Sequence, residues 1–326
     1  MIPHLQSLLK SARLTAGVFV FAVSLSGCAL LFPQAEVLRE SWPSDLPLRV
    51  ELGEVPFFPQ KDYQCGPAAL ATTLANFKIN VTAEDLVDKV YLPAREGSLQ
   101  IEMLAAPRRY GMVSYQLSPR FDDLLREVAA GIPVIVLQDY GVWPVSIWHY
   151  AVVAGYDYPK GELVLRSGEK QRLSMPFAVL EYTWKESDYW AMVTVPPDII
   201  PATATEARYL AAVVAMERVA DARAARKAYQ TFLRRWPDNV TAEIGLANSH
   251  YAQGELKEAE AVLRRATGRQ PDSVIALNNL AQTLSDQQRH NEALALIERA
   301  VALGGPFATA AGETRALILK RMEKSN

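Results

Sequence analysis

Pro59-Gln60-Lys61-Asp62-Tyr63-Gln64-Cys65-Gly66-Pro67-Ala68-Ala69-Leu70 is the stretch that decides how this 326-residue chain is read. It sets a cysteine directly ahead of an apolar, alanine-rich run expected to be a helix over Gly66–Phe77. Pro67 falls in the first turn, where a missing N–H is harmless. A thiol at a helix N-terminus faces unpaired amides, whose partial positive charge favours the thiolate and is expected to lower its pKa. The partner it needs is a base. Between residues 51 and 199 the one histidine is His149, in Ser146-Ile147-Trp148-His149-Tyr150-Ala151-Val152-Val153-Ala154-Gly155-Tyr156. It opens an apolar run that reads as a buried strand, and a strand start holds an imidazole more firmly than a loop does. A Cys–His pair is the minimum for an activated thiol nucleophile. Gln60 offers an amide N–H to a developing oxyanion, beside the backbone N–H of Cys65. Singly, these are a small buried cysteine, a core histidine and a surface amide; together they point to catalysis.

Outward from that site the pattern is mixed. Thr82-Ala83-Glu84-Asp85 has capping-box spacing ahead of Leu86, Val87 and Val90. Further helices are expected over Ser98–Tyr110, stopped at Gly111, and over Arg120–Ala130, with Phe121, Leu124, Leu125 and Val128 on one face. The period then changes. Val134–Leu137, His149–Tyr156, Glu162–Arg166 and Trp190–Val195 read as strands. Helices first and strands later indicate an α+β domain. Trp143, Trp148 and Tyr150 are assigned to packing in preference to a cleft wall.

Pro196, Pro197 and Pro201 mark a boundary, and from Glu206 the composition shifts to Ala, Leu, Arg and Glu. Trp236-Pro237-Asp238 recurs 34 residues later as Gln270-Pro271-Asp272. Leu246-Ala247 recurs as Leu280-Ala281, Ala225 as Ala259 and Ala293, and Ala266 as Ala300, all at 34. The period resembles the tetratricopeptide repeat, a helical hairpin with small residues where helices cross. It divides the region into repeats at 206–238, 239–272 and 273–306 and a terminal helix near 309–322. Stacked repeats form a concave surface that takes protein partners.

At the other end, Lys10 and Arg13 precede Leu14–Gly27, which carries no charge. This is short for a membrane span and right for a signal segment. It closes on Leu25-Ser26-Gly27-Cys28, which resembles the lipobox of bacterial lipoproteins. The resemblance implies cleavage after residue 27 and acylation of Cys28, enough to hold the chain on a bilayer. Ala29 in place of Asp implies sorting to the outer membrane, facing the periplasm. Residues 28–50 hold Pro33, Pro43 and Pro47 with no sustained period and read as a tether.

Composition closes off other classes. The chain carries 34 basic and 36 acidic residues for a net charge of −2. Loss of Lys10 and Arg13 with the signal would move this to −4. No nucleic-acid partner is expected from such a balance. Two cysteines and four histidines exclude a disulfide scaffold and a zinc ribbon or finger; no metal and no cofactor is expected. With Cys28 lipidated, Cys65 has no disulfide partner.

The segments around Cys65 and His149 resemble the papain-like, bacteriocin-processing (double-glycine) cysteine peptidase family. That family has a Gln shortly before Cys-Gly-Pro/Ala-Ala, matched by Gln60 and Cys65-Gly66-Pro67-Ala68-Ala69. Its Gly-x-Pro-Val-Ile is matched by Gly131-Ile132-Pro133-Val134-Ile135, and its histidine strand ends in Gly-Tyr-Asp, matched by Gly155-Tyr156-Asp157. The resemblance implies a papain-like domain over 51–199, ahead of an all-α repeat solenoid over 206–326. It implies peptide-bond hydrolysis through a thioester, with Cys65 as nucleophile, His149 as base and acid, and Gln60 as oxyanion donor. One position departs. The family has an Asp on the strand after the histidine, whereas here stands Val164-Leu165-Arg166-Ser167-Gly168. Ser167 is the nearest match, and its hydroxyl can accept the imidazole N–H. Asp157 is expected in the hairpin turn, pointing elsewhere.

The expected function is therefore a membrane-tethered periplasmic cysteine peptidase whose repeats recruit a substrate or partner protein. The alternative is a peptidase-like peptide clamp with little or no turnover, which the Ser167 position keeps open. A third, amidase or acyl-transfer chemistry, fits the Gln60-to-Cys65 arrangement less well.

Overall fold

The computed structural model describes residues 32–60 and 64–325. The signal segment, Cys28 and Lys61-Asp62-Tyr63 lie outside them. The chain divides into two compact units, Met1–Leu99 with Gln116–Val193, and Gln100–Tyr115 with Thr194–Asn326. In chain order the first elements are α1 (Pro33–Glu40), β1 (Arg49–Glu51), α2 (Cys65–Asn76), α3 (Ala83–Val90), β2 (Tyr91–Leu92), β3 (Gly97–Ser98), α4 (Gln100–Ala105) and β4 (Val113–Gln116). They are followed by α5 (Phe121–Ala129), β5 (Val134–Asp139), β6 (Trp148–Asp157), β7 (Glu162–Ser167), β8 (Lys170–Pro176), α6 (Phe177–Trp184) and β9 (Ala191–Val195). The architecture is the expected one, a sheet-containing α+β domain followed by consecutive helices.

In the first unit, antiparallel strands run in the order β9-β5-β6-β7-β8, with β1 also on β6. Val134, Ile135 and Val136 of β5 and Ala151 to Ala154 of β6 are all buried. Their unbroken apolar runs match strands covered on both faces. The register sets Val134 opposite Val153 and Gln138 opposite His149. Helix α2 packs on β6, and Gly66 through Leu74 are buried. It is apolar on every side because it is a core helix. Helix α3 has its capping box: the Asp85 N–H donates to Thr82 Oγ1 at 3.3 Å and the Thr82 N–H to Asp85 Oδ2 at 2.9 Å. Helix α5 buries Phe121, Leu124, Leu125 and Val128, as the period requires. Gly155 is demanded by close approach, since a Cβ there would meet Val50 O at 2.6 Å.

Three local readings differ from expectation. Residues 33–40, read as tether, form a helix. Its free N-terminal amides are taken up by a distant carboxylate, with Gln34 N–H and Ala35 N–H donating to Glu181 at 2.9 and 2.6 Å. Ala35 and Leu38 are buried beneath it. The helix expected over Ser98–Tyr110 is α only through Ala105; Ala106–Tyr110 tightens to a 3-10 turn at Pro107, which has no N–H to give, before Gly111 stops it at φ 72. Strand β8 and helix α6 were not anticipated. Phe177-Ala178-Val179-Leu180-Glu181-Tyr182-Thr183-Trp184 is rich in β-branched and aromatic residues, poor helix formers. Tertiary packing overrides this: Phe121 meets Phe177 and Trp184 edge-on at 5.4 and 5.9 Å.

The second unit contains α7 (Glu206–Glu217), α8 (Ala222–Arg235), α9 (Val240–Tyr251), α10 (Leu256–Arg269), α11 (Val274–Asp286), α12 (His290–Leu303) and α13 (Ala308–Ser325). Consecutive helices pack on one another. Every small residue recurring at the 34-residue offset is buried: Ala225, Ala259 and Ala293, Ala247 and Ala281, Ala266 and Ala300. Helices cross closely where these residues lie. At Gly245 the approach is extreme, as a Cβ would fall 2.2 Å from the Tyr229 ring. Residues 100–115 belong to this unit: the Tyr115 hydroxyl donates to Thr203 O at 3.2 Å, and its ring meets Tyr209 edge-on at 6.4 Å. Among the described residues, no helix is long and apolar enough to cross a membrane.

Candidate active site

Cys65 is the first residue of α2, and Gln64 precedes it as a cap with no side-chain bond. Its sulfur is met by backbone N–H groups of Gly66 and of Tyr150, the residue after His149 in β6. Tyr150 can reach the sulfur because β7 parts from β6 after Arg166. Paired positions on β6 and β7 end at Val152 with Arg166, so beyond them β6 has no strand on that side. Gln60 and Cys65 fill the place. The Gln60 N–H donates to Gly168 O at 3.2 Å, and its side-chain Nε2 to Tyr150 O at 3.4 Å. One backbone unit, Tyr150, thus ties the thiol, the amide and the histidine strand together.

His149 Nε2 lies 2.8 Å from Ser167 Oγ. Which of them donates is settled by following the hydrogens outward. The Thr183 hydroxyl gives its one hydrogen to the α6 carbonyls of Val179 and Leu180, at 3.1 and 3.0 Å. It can then only accept, and Gln138 Nε2 donates to it at 2.7 Å. This turns Gln138 Oε1 towards Tyr140, whose hydroxyl donates to it at 3.2 Å. Tyr140 has then spent its hydrogen, so towards the Ser167 side chain, which favours its phenolate, it can only accept. Ser167 has then spent its own, so it accepts Nε2–H. The relay Thr183–Gln138–Tyr140–Ser167 fixes the neutral imidazole as the Nε2–H tautomer and leaves the Nδ1 lone pair for a proton. The Tyr140 ring also stacks on the imidazole, with centroids 5.2 Å apart and planes at 25°. Tyr140 and Gln138 escaped the sequence reading. The signal was present: Gln138-Asp139-Tyr140 puts polar groups at the end of an otherwise apolar strand, opposite His149.

Electrostatics overturn one expectation. Burial pushes the Cys65 thiol above its ordinary pKa, outweighing the N–H groups that favour the thiolate. Burial also holds His149 down at about 4. At neutral pH the resting pair is thiol and imidazole, not thiolate and imidazolium. Asp157 plays no part: it ends β6 at the strand terminus remote from His149 and pairs with Arg49 at 3.1 Å. Of the aromatics assigned to packing, Tyr150 is buried, but Trp143 is 93% exposed and Trp148 half-exposed.

Residues 52–187 match the family model described as Peptidase_C39 like family, a span that includes Gln60, Cys65, His149 and Ser167. Residues 52–187 form a Peptidase_C39-like domain. The tetratricopeptide repeat model matches at residues 217–273 and 244–308; such repeats commonly mediate protein–protein interactions. Among solved structures, a putative C39-like peptidase from Bacillus anthracis is 19% identical, aligning over 45% of this chain and 97% of its own, with a TM-score of 0.39. The TPR2B domain of yeast Sti1 in a pHsp70 complex is 20% identical over 31% of this chain and 85% of its own, at a TM-score of 0.30. The Sgt2 TPR domain from Aspergillus fumigatus is 18% identical over 37% and 81%, at 0.34. No curated protein matches the chain. The Peptidase_C39-like domain and the repeats together make a peptidase-like fold with a repeat module.

Proposed function

We propose that the Peptidase_C39-like domain is a cysteine peptidase. The observation that carries this reading is His149 Nε2 held 2.8 Å from Ser167 Oγ on the strand whose next residue, Tyr150, gives its backbone N–H to the Cys65 sulfur. His149 Nδ1 takes the Cys65 proton as sulfur attacks the peptide carbonyl. The oxyanion is met by the Cys65 N–H and by Gln60 Nε2, which exchanges Tyr150 O for it. The imidazolium returns the proton to the leaving amine as the C–N bond breaks, leaving a thioester. Water then attacks the thioester with His149 again as base, releasing the carboxylic acid and the thiol. The repeats recruit a protein partner or the substrate. Cys28 carries the lipid that anchors the chain to the outer membrane, with the enzyme in the periplasm.

The competing reading, a peptide clamp without turnover, is favoured by the neutral resting pair and by the lack of a carboxylate at Ser167. An electrophilic peptide probe on the full chain decides between them. The peptidase reading expects labelling in the wild type, none in Cys65→Ala and a large loss in His149→Ala. Equal labelling with and without His149 would sink it. The anchor is tested separately: a Cys28→Ser chain that still incorporates labelled fatty acid contradicts lipidation of Cys28.

A further inference from the structure

The hairpin joining β5 to β6 ends in Tyr140-Gly141-Val142-Trp143-Pro144-Val145-Ser146-Ile147-Trp148, a run with no charged residue. Its apolar side chains lie outside the core: Val142 is 82% and Trp143 93% exposed, and Val145, Ile147 and Trp148 are exposed with them. The tip is nevertheless ordered. The Gly141 and Ile147 N–H groups donate to Asp139 Oδ1 at 2.8 and 2.7 Å, the Tyr140 N–H to Ile147 O at 2.9 Å, and the Val145 N–H to Val142 O at 2.9 Å. Gly141 is required, because a Cβ there would fall 2.0 Å from Val145 O. A fixed, uncharged tip that keeps such side chains in water marks a contact surface.

We propose that this tip is a finger that inserts into the interface of a lipid bilayer. The register separates lipid from other occupants. Cross-strand partners share a face, so Tyr140 with Ile147 and Val142 with Val145 lie on the His149 side, while Trp148 lies on the opposite side and Trp143 at the turn. A peptide in the cleft would cover the first face and leave Trp148 in water. A bilayer covers both. Beyond the Asp139–Trp148 pair the tip extends three residues, about 10 Å, which matches the 5–10 Å depth of interfacial insertion. Tryptophans suit that depth, with an apolar body and a polar N–H. Insertion would set His149, next to Trp148, at the bilayer surface, and the substrates would be chain segments lying at that surface.

The test uses the full chain, purified from membranes and reconstituted in vesicles of phosphatidylethanolamine and phosphatidylglycerol carrying nitroxide-labelled lipid. Wild-type tryptophan emission is expected to be quenched, most strongly by shallow labels, and Trp143→Phe is expected to lose much of that quenching. The Phe variant removes the reporter without removing apolar contact, so folding is not at stake. No quenching in the wild type, or equal quenching in Trp143→Phe, overturns the proposal. So does a dimer in sedimentation that Trp143→Asp dissolves, which would assign the tip to a second copy, or a shift of Trp143 emission on adding peptide and not lipid. Cys65→Ala is expected to quench like the wild type, so this result stands or falls apart from the peptidase reading.

Discussion

Tyr140→Phe is the sharpest probe of the site, because it keeps the ring stacked on His149 and deletes one hydroxyl from the relay. In the wild type the Ser167 hydrogen is committed to Tyr140, so Ser167 can only accept from Nε2–H. Without the Tyr140 oxygen, Ser167 is free to donate to Nε2, and the tautomer with its proton on Nδ1 gains. That tautomer has no lone pair for the Cys65 proton. The bias lost is one net hydrogen bond, about 1 kcal/mol, so the ratio of the base-competent tautomer to the other should fall roughly fivefold, and kcat by at most that factor. Gln138 Oε1 also loses its donor, and a buried acceptor left unpaired costs about 1–3 kcal/mol of stability. Long-range proton–nitrogen correlation on 15N-histidine protein at pH 7 reads the tautomer directly, with His149→Gln assigning the signal. His149 stays neutral there because burial holds it at about 4. A wild-type ring protonated on Nδ1, or a tautomer ratio unchanged in Tyr140→Phe, would refute this reasoning.

The same burial gives a stability signature. Unfolded His149 takes up a proton near 6.5 while the folded ring does so only at about 4, so stability is full above 6.5 and falls as pH drops through that window, by about 3 kcal/mol in total. Thermal melts should lose that slope between pH 6.5 and 4.5 in His149→Gln. The raised thiol pKa means that alkylation of Cys65 by iodoacetamide should still be climbing beyond pH 8.5, and a plateau below pH 7 would disprove it. Ser167→Asp should shift that alkylation curve to lower pH, since a carboxylate at Nε2 stabilises the imidazolium. In the repeats, Gly245→Ala drives a Cβ into the Tyr229 ring and should destabilise the module by about 1–3 kcal/mol in denaturant melts.

The parts legible in the sequence were those whose cause is local. The 34-residue offset of Ala225, Ala259 and Ala293 works as a code because each sits at the same helix crossing, and burial follows position. Thr82 and Asp85 form their box because both partners lie within one turn. Cys65 and His149 stood out because so few residues of either type are present. What the sequence hid depends on partners far apart in the chain. Helix α1 needs Glu181, 146 residues beyond Ala35, and no local pattern announces a cap at that distance. Helix α6 forms against its propensities because Phe121 holds Phe177 and Trp184. The thiol pKa went the other way from the helix-terminus argument because that argument counts amides and not the desolvation of a sulfur packed against β6.

Ser167 in place of a carboxylate looks at first like a damaged triad. A carboxylate at Nε2 does two things: it fixes the tautomer, and it stabilises the imidazolium that forms during attack. The relay from Thr183 through Gln138 and Tyr140 supplies the first without a charge. It does not supply the second, which agrees with a histidine held at about 4. The two functions are therefore separated in this site, and they predict different chemistry. A site with both would store a thiolate; this one keeps a thiol and a correctly oriented base, and must make its charge only when a carbonyl is present to receive the sulfur. Such an arrangement protects Cys65 from idle alkylation and oxidation, both of which require the thiolate. On the proposed peptidase reading, turnover rests on whatever positions a substrate carbonyl against Cys65 and Gln60, so that binding and chemistry are coupled through the same few residues.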